Sequence, residues 1–186
     1  MNGPAYAGIG SRKTPEALRH VLAEYARRLA KLGWTLRSGR APGADSYFQL
    51  GAAGSAELYV PSDYGPKPVG ARLIVPEGDL LARAFLVAST VHPAWERCST
   101  YARLLLARNV FQVYGERLDD NVRFLVAWAV PRGDGSVEGG TILAWTLARI
   151  AGIPRYNLFA PSDDRRFSEM LTQLEAAGLP SIAEHD

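Results

Sequence analysis

Ala5-Tyr6-Ala7-Gly8-Ile9-Gly10-Ser11-Arg12-Lys13-Thr14-Pro15-Glu16 is the stretch on which the fold turns. A short apolar run ends in glycines. Thr14 followed by Pro15 then marks a helix start, a hydroxyl suited to capping free N–H groups ahead of a proline at the first helical position. Downstream, Leu18, Leu22, Tyr25, Ala26, Leu29 and Leu32 recur at helical spacing, while Arg19, Arg27, Arg28 and Lys31 take other faces. Gly33 stops the helix. The segment reads as strand, glycine-rich turn and amphipathic helix.

The same unit then repeats. Trp34–Ser38 reads as a second strand, Gly39–Asp45 as its turn, and residues from about Ala44 to Ala53 as a helix closed by Gly54; Glu57–Val60 reads as a third strand. Strands alternating with helices imply an α/β, Rossmann-like three-layer fold, a mostly parallel sheet covered by helices on both faces. Residues 61–96 break the rhythm. Pro61, Pro66, Pro68, Pro76 and Pro93 punctuate them, and one short helix is expected at about Leu80–Ser89. They read as a loop-rich insertion, either a lid or specificity element or an oligomer contact.

A long helix is expected from about Arg97 to Val113, with Tyr101, Leu104, Leu105 and Val113 as core positions. Val122–Val130, nearly continuous in apolar residues, suits a central strand buried on both faces. Pro131–Thr141 is then a loop entering a helix at Ile142–Ala151. A last strand (Pro154–Phe159) and a helix (about Arg165–Ala177) complete a single domain spanning 1–186.

Composition narrows the function. The 186 residues are 47% hydrophobic and 22% charged, ordinary globular usage, and no run approaches the roughly 18 apolar residues needed to span a bilayer. A cytoplasmic protein without membrane contact is expected. Cys98 is the only cysteine, so an internal disulfide and a Cys-cluster zinc site are excluded, and an inert thiol is favoured over one activated by His92. With His20, His92 and His185 at no metal-ligand spacing, neither a metal nor a cofactor is expected. A net charge of +2 is too mild to announce a nucleic-acid partner. The 18 Arg against 3 Lys favour bidentate contact with phosphate or carboxylate, although genome composition accounts for them equally well.

Three turns leave strands and enter helices: Gly8-Ile9-Gly10-Ser11-Arg12, Ser38-Gly39-Arg40-Ala41-Pro42-Gly43-Ala44-Asp45 and Glu138-Gly139-Gly140-Thr141. A parallel sheet brings all three to one edge, where open α/β sheets bind ligands. Glycine lets backbone N–H groups approach an anion, and helix N-termini add partial positive charge. Ser11, Ser38 and Thr141 supply hydroxyls and Arg12 a full charge. No single turn is specific: position 13 is Lys, which breaks the GxGxxG fingerprint, and no GxxxxGK[ST] P-loop is present. The convergence is the signal.

These residues carry a resemblance. Gly10-Ser11-Arg12, then a helix, then Ser38–Asp45 resembles the GSR and SGxAxGxD motifs of the DNA-processing proteins of the DprA (Smf) family, and Arg108-Asn109 resembles their later RN motif. More widely the chain is similar to the SLOG superfamily, which groups DprA with the Lonely-guy and molybdenum-cofactor carrier proteins. Small phage-type DprA-like proteins give the nearest pattern. The match covers most of the chain outside 61–96. It implies a Rossmann-like fold that binds a nucleotide, a nucleotide-derived ligand or single-stranded DNA, commonly as a homo-oligomer. Lonely-guy hydrolases carry PGGxGTxxE, whose glutamate acts at the ribosyl bond. Here Gly139-Gly140-Thr141 is followed by Ile142-Leu143-Ala144-Trp145, and Glu138 is the only nearby carboxylate. Binding without catalysis is therefore favoured, with single-stranded DNA binding and N-glycosidic hydrolysis through Glu138 or Asp45 as alternatives.

Individual residues keep two readings. Arg12 is expected on phosphate rather than in a surface ion pair. Asp45 either caps its helix or hydrogen-bonds a ribose or base. Arg37 and Arg40, with Arg108, would extend a positive rim along a nucleic-acid strand. Among the tryptophans, Trp128 has the best position to face a ligand, and Tyr59, Tyr64 and the His92–Trp95 loop are either packing or a lid.

Overall fold

Strands and helices alternate along most of the chain. The structure, a computed structural model, describes residues 3–62 and 69–178; Tyr64, Pro66, Pro68 and His185 lie outside the described residues. In chain order the elements are β1 (Ala5–Gly10), α1 (Arg19–Lys31), β2 (Thr35–Ser38), α2 (Ala44–Ala52), β3 (Ala56–Tyr59) and β4 (Arg72–Ile74). They continue as α3 (Gly78–Val91), α4 (Thr100–Tyr114), β5 (Leu125–Trp128), α5 (Thr141–Ile150), β6 (Arg155–Asn157) and α6 (Pro161–Ala177).

The six strands form one sheet in the order β4-β3-β2-β1-β5-β6, with every neighbouring pair parallel. The chain winds outward from β1 to β4, then crosses back to lay β5 against the other side of β1. That reversal makes the β1/β5 boundary the switch point of the sheet. Alternate residues of β1 serve opposite faces. Ala5, Ala7 and Ile9 pack with Ala84, Val110, Phe111, Leu143 and Leu147 of α3, α4 and α5. Tyr6 packs with Leu22, Leu29, Phe48 and Phe167 of α1, α2 and α6. Helices on both faces of a parallel sheet make the three-layer Rossmann-like α/β fold. Among the described residues no helix is long and apolar enough to cross a membrane.

Several local expectations are corrected. Thr14 does not cap α1: its hydroxyl donates to the Ser11 carbonyl at 2.6 Å, and a 3-10 turn, Glu16–Leu18, precedes the helix. Within 61–96 the helix expected at about Leu80–Ser89 is present as the longer, 14-residue α3, and the described residues also hold β4, which extends the sheet. In α4, Tyr101 is 62% exposed and Leu104 and Leu105 are half-buried; Leu106, Ala107, Val110, Phe111 and Val113 form its buried side. Ser99 caps this helix by accepting the Ala102 N–H, so it begins three residues later than expected. Proline opens α6 at Pro161, four residues earlier than expected. The tryptophan-bearing α5 owes its apolar run to burial: Leu143, Ala144, Trp145, Leu147 and Ala148 are all buried, and Ile150 is its exposed apolar end.

Candidate ligand site at the strand ends

The three glycine-rich turns do meet at the C-terminal edge of the sheet, but most of their polar groups face one another. Gly8 and Gly10 lie within β1, not in a loop. Their missing side chains make room for α2: a Cβ on Gly8 would sit 2.6 Å from Leu36 Cδ1 and 3.0 Å from the Phe48 ring, and one on Gly10 would sit 2.7 Å from Ala44 Cβ. The Ser11 N–H donates to the Trp128 carbonyl at 2.8 Å and thereby ties β1 to β5 at the switch point. Its hydroxyl accepts the Lys13 N–H at 3.0 Å, and its carbonyl accepts the Ala44 N–H. Gly43, at φ +82°, fits tightly against the Ser11 and Arg12 backbone, where a side chain would not.

Asp45 organises the edge. It is 3% exposed and sits in the first turn of α2. Its carboxylate accepts the Gly10 N–H at 3.0 Å, the Gly39 N–H at 3.2 Å and the Ala41 N–H at 3.3 Å. It thus neither caps its own helix by side chain nor keeps these acceptors open for a ribose. Burial raises its pKa, against the opposing effects of Arg108 and the three backbone donors. Ser38 is likewise internal, its hydroxyl donating to the Gly8 carbonyl at 2.7 Å.

The Arg108-Asn109 pair of α4 completes the frame. Arg108 donates through Nη1 to the Gly39 carbonyl, and Asn109 donates to the Gly140 carbonyl at 2.8 Å, fixing the head of α5. Burial lowers the Arg108 pKa; Asp45 opposes that shift, and the like charge of Arg12 adds to it. One buried group escaped the sequence reading. Gln112 is 1% exposed, and its Nε2 and the Arg108 Nε are both buried without a hydrogen-bond partner among the described residues. The signal was available, since Gln112 stands one helical turn beyond Arg108 on the same face.

Other groups remain open to a ligand. Arg12 is exposed and makes no hydrogen bond or ion pair with the described residues. Gly139 and Gly140 are exposed and nothing lies within 4 Å of where their Cβ atoms would stand, whereas Thr141, which begins α5 beside them, is buried. Glu138 is exposed; its N–H donates to the Val130 carbonyl, within a loop closed by a bridge between Pro131 and Val137. At the ends of β3 and β4 lies a cleft of about 180 Å³ walled by Val60, Pro61, Val75, Pro76, Leu81 and Leu104, with Glu77 and Arg108 as its charged members.

The expected arginine rim is not formed as drawn. Arg37 is 5% exposed and enclosed by a salt bridge to Glu57 at 2.9 Å and one to Asp120 at 2.5 Å. Trp128 is 9% exposed, packs in the core shared with α1, α2 and α6, and has its ring 5.3 Å from that of Phe159. Trp95 packs on Phe85 and under the Arg103 guanidinium. Cys98 is half-buried, its thiol donating to the Ala94 carbonyl. Among the described residues no three His, Cys, Asp or Glu side chains cluster as a metal site would require.

No family model and no curated protein matches the chain. Solved structures do. The molybdenum cofactor carrier protein from Chlamydomonas reinhardtii superposes with a TM-score of 0.52 at 17% identity, covering 92% of this chain and 88% of that one. A second structure of that carrier gives 0.50 at 18% identity, covering 94% of each chain. The chain shares the fold of that carrier protein. DNA processing protein A from Helicobacter pylori, described for its single-stranded DNA binding mode, aligns with a TM-score of 0.45 at 16% identity, over 94% of this chain and 81% of that one. In this frame the Gly10-Ser11-Arg12 and Ser38–Asp45 stretches form the β1 and β2 ends, and Arg108-Asn109 clamps them to the head of α5.

Proposed function

We propose that this SLOG-type protein binds a nucleotide or nucleotide-derived small molecule at the C-terminal edge of its sheet, without catalysing a reaction on it. One observation carries the reading: Arg12 stands exposed and unpaired with the described residues just beyond β1, at the strand-end edge that Asp45 and Arg108 organise. A guanidinium without a carboxylate partner at that edge favours a bound anion. The phosphate then rests against Arg12 and the open Gly139–Gly140 head of α5, where free N–H groups and the helix dipole attract negative charge. Gly10, Gly39, Ser38 and Asp45 act through the frame they build rather than by touching the ligand. A carrier of a small cofactor among the structures that share the fold supports a small-molecule ligand.

Thermal-shift measurements with nucleoside mono- and diphosphates test this. Stabilisation that disappears in Arg12→Ala and in Thr141→Val is the expected result, and no shift with any nucleotide overturns the reading. The protein is expected to be cytoplasmic and, by light scattering, homo-oligomeric, with Leu86, Tyr101 and Ile150 as exposed apolar side chains available for contact. Single-stranded DNA binding loses Arg37 from its rim; strong binding of a short oligonucleotide at low salt would restore it. Hydrolysis would require Glu138, and release of free base that is lost in Glu138→Gln is its test.

A further inference from the structure

We propose that the cleft at the ends of β3 and β4 is the ring-recognition subsite of this ligand, and that it selects a guanine-type heterocycle. This rests on the nucleotide reading above. With about 180 Å³ of space, the cleft is smaller than the roughly 300–1,000 Å³ that encloses a whole ligand, so it suits one ring system rather than an entire nucleotide. Val60, Pro61, Pro76 and Leu104 give it apolar walls for a flat heterocycle.

Its two charged members have opposite sign and unspent capacity. The Glu77 carboxylate lies at the exposed rim, at the start of α3, and makes no hydrogen bond or ion pair with the described residues. Arg108 uses Nη1 on the Gly39 carbonyl, but its Nε is buried without an acceptor. Gln112 Nε2, also buried without an acceptor, stands near the same guanidinium around Gly39 but does not line the cleft. The cleft therefore has a carboxylate acceptor at its rim, Glu77, and a guanidinium donor in its wall, Arg108.

A ring that satisfies both ends must carry N–H donors on one side and acceptors on the other. Guanine does so, with N1–H and its 2-amino group for a carboxylate, and O6 and N7 for a guanidinium. Adenine has no carbonyl oxygen, and neither pyrimidine carries N–H donors on two adjacent atoms. A site built around such donors and acceptors rejects analogues that leave them unpaired.

Titration calorimetry of the full chain with guanosine, inosine, adenosine and uridine monophosphates tests the assignment. Guanosine monophosphate is expected to bind about tenfold or more tightly than the adenosine and uridine nucleotides, with inosine monophosphate weakened by loss of the 2-amino group. Glu77→Gln, at an exposed position, should bring guanosine monophosphate to the level of adenosine monophosphate. Equal binding of guanosine and adenosine monophosphates, or a preference that survives Glu77→Gln, overturns the subsite and leaves the nucleotide reading standing. Binding of none of the four overturns both.

Discussion

Asp45 and Arg108 hold the same residue from opposite ends: the Asp45 carboxylate accepts the Gly39 N–H, and the Arg108 guanidinium donates to the Gly39 carbonyl. The two side chains come from α2 and α4, which lie on opposite faces of the sheet. Gly39 at the end of β2 is thus the point where the two helical layers are joined through charge. Asp45 also takes the Gly10 N–H from β1, so one carboxylate sets the relative heights of two strand ends. A ligand site at this edge inherits its shape from that clamp.

Replacing Asp45 should therefore cost stability before it affects binding. Asp45→Ala leaves the half-buried Gly10 donor, the buried Gly39 donor and the Ala41 donor without acceptors, and removes the counter-charge of half-buried Arg108. A loss of about 2–5 kcal/mol is expected in urea unfolding. The Asp45→Asn and Arg108→Met changes should combine to less than their sum, because either one already breaks the clamp. Additivity would show that the two residues act independently.

The glycines of the three turns should separate by the same measurement. A Cβ at Gly39 would meet Gln112, Arg108 and Asp45 atoms at 2.5, 2.8 and 2.9 Å, all within the clamp. Gly39→Ala is expected to destabilise by about 1–3 kcal/mol through overpacking. Gly140→Ala meets open space at φ −65°, and should fall within about 0.5 kcal/mol of the parent. If Gly140→Ala nonetheless weakens nucleotide binding, its N–H side lies against the ligand.

The parts of this arrangement legible in the sequence are the local ones. Gly8-Ile9-Gly10 and Gly33 punctuate a strand and helix whose apolar periods differ, and that contrast survives any tertiary context. β4 was hidden because it is a three-residue edge strand, with Arg72 exposed and Pro76 close behind, and so lacks the apolar run of a central strand. Asp45 was misread for another reason. Whether a carboxylate meets backbone N–H groups or a sugar depends on Gly10, 35 residues away, and no residue type encodes that approach. Arg37 left a usable clue: it stands opposite Glu57 in the parallel register of β2 and β3, a pairing that buries a charge with its partner.

That pair gives the fold an acid-sensitive element. Burial alone would raise the Glu57 pKa, but hydrogen bonds from Arg72 and Arg37 outweigh it and hold the carboxyl below its usual range. A carboxyl depressed in the folded state contributes stability above its unfolded pKa of about 4.3, and this is lost as pH falls through the folded value. Unfolding midpoints measured from pH 6 to pH 3, roughly spanning that window, should decline on the acid side. Glu57→Gln should lower the midpoint at pH 6 and flatten the decline. An unchanged acid slope in the variant would assign the sensitivity to other carboxylates.

Arg12 is the residue whose loss should damage function and spare the fold. It is exposed and holds no partner among the described residues, and its charge opposes that of Arg108. Arg12→Ala is thus expected to unfold within about 0.5 kcal/mol of the parent protein, with any change toward greater stability. Nucleotide affinity should nevertheless fall by about tenfold or more, the scale of a hydrogen bond between charged groups. Raising salt from about 0.05 to 0.5 M should weaken binding in the parent, because the Debye length shortens from more than 10 Å to less than 8 Å. The variant should show a shallower salt response, having lost the exposed cation and kept the sheltered Arg108. Equal affinity and equal salt dependence in the two proteins would remove Arg12 from the site.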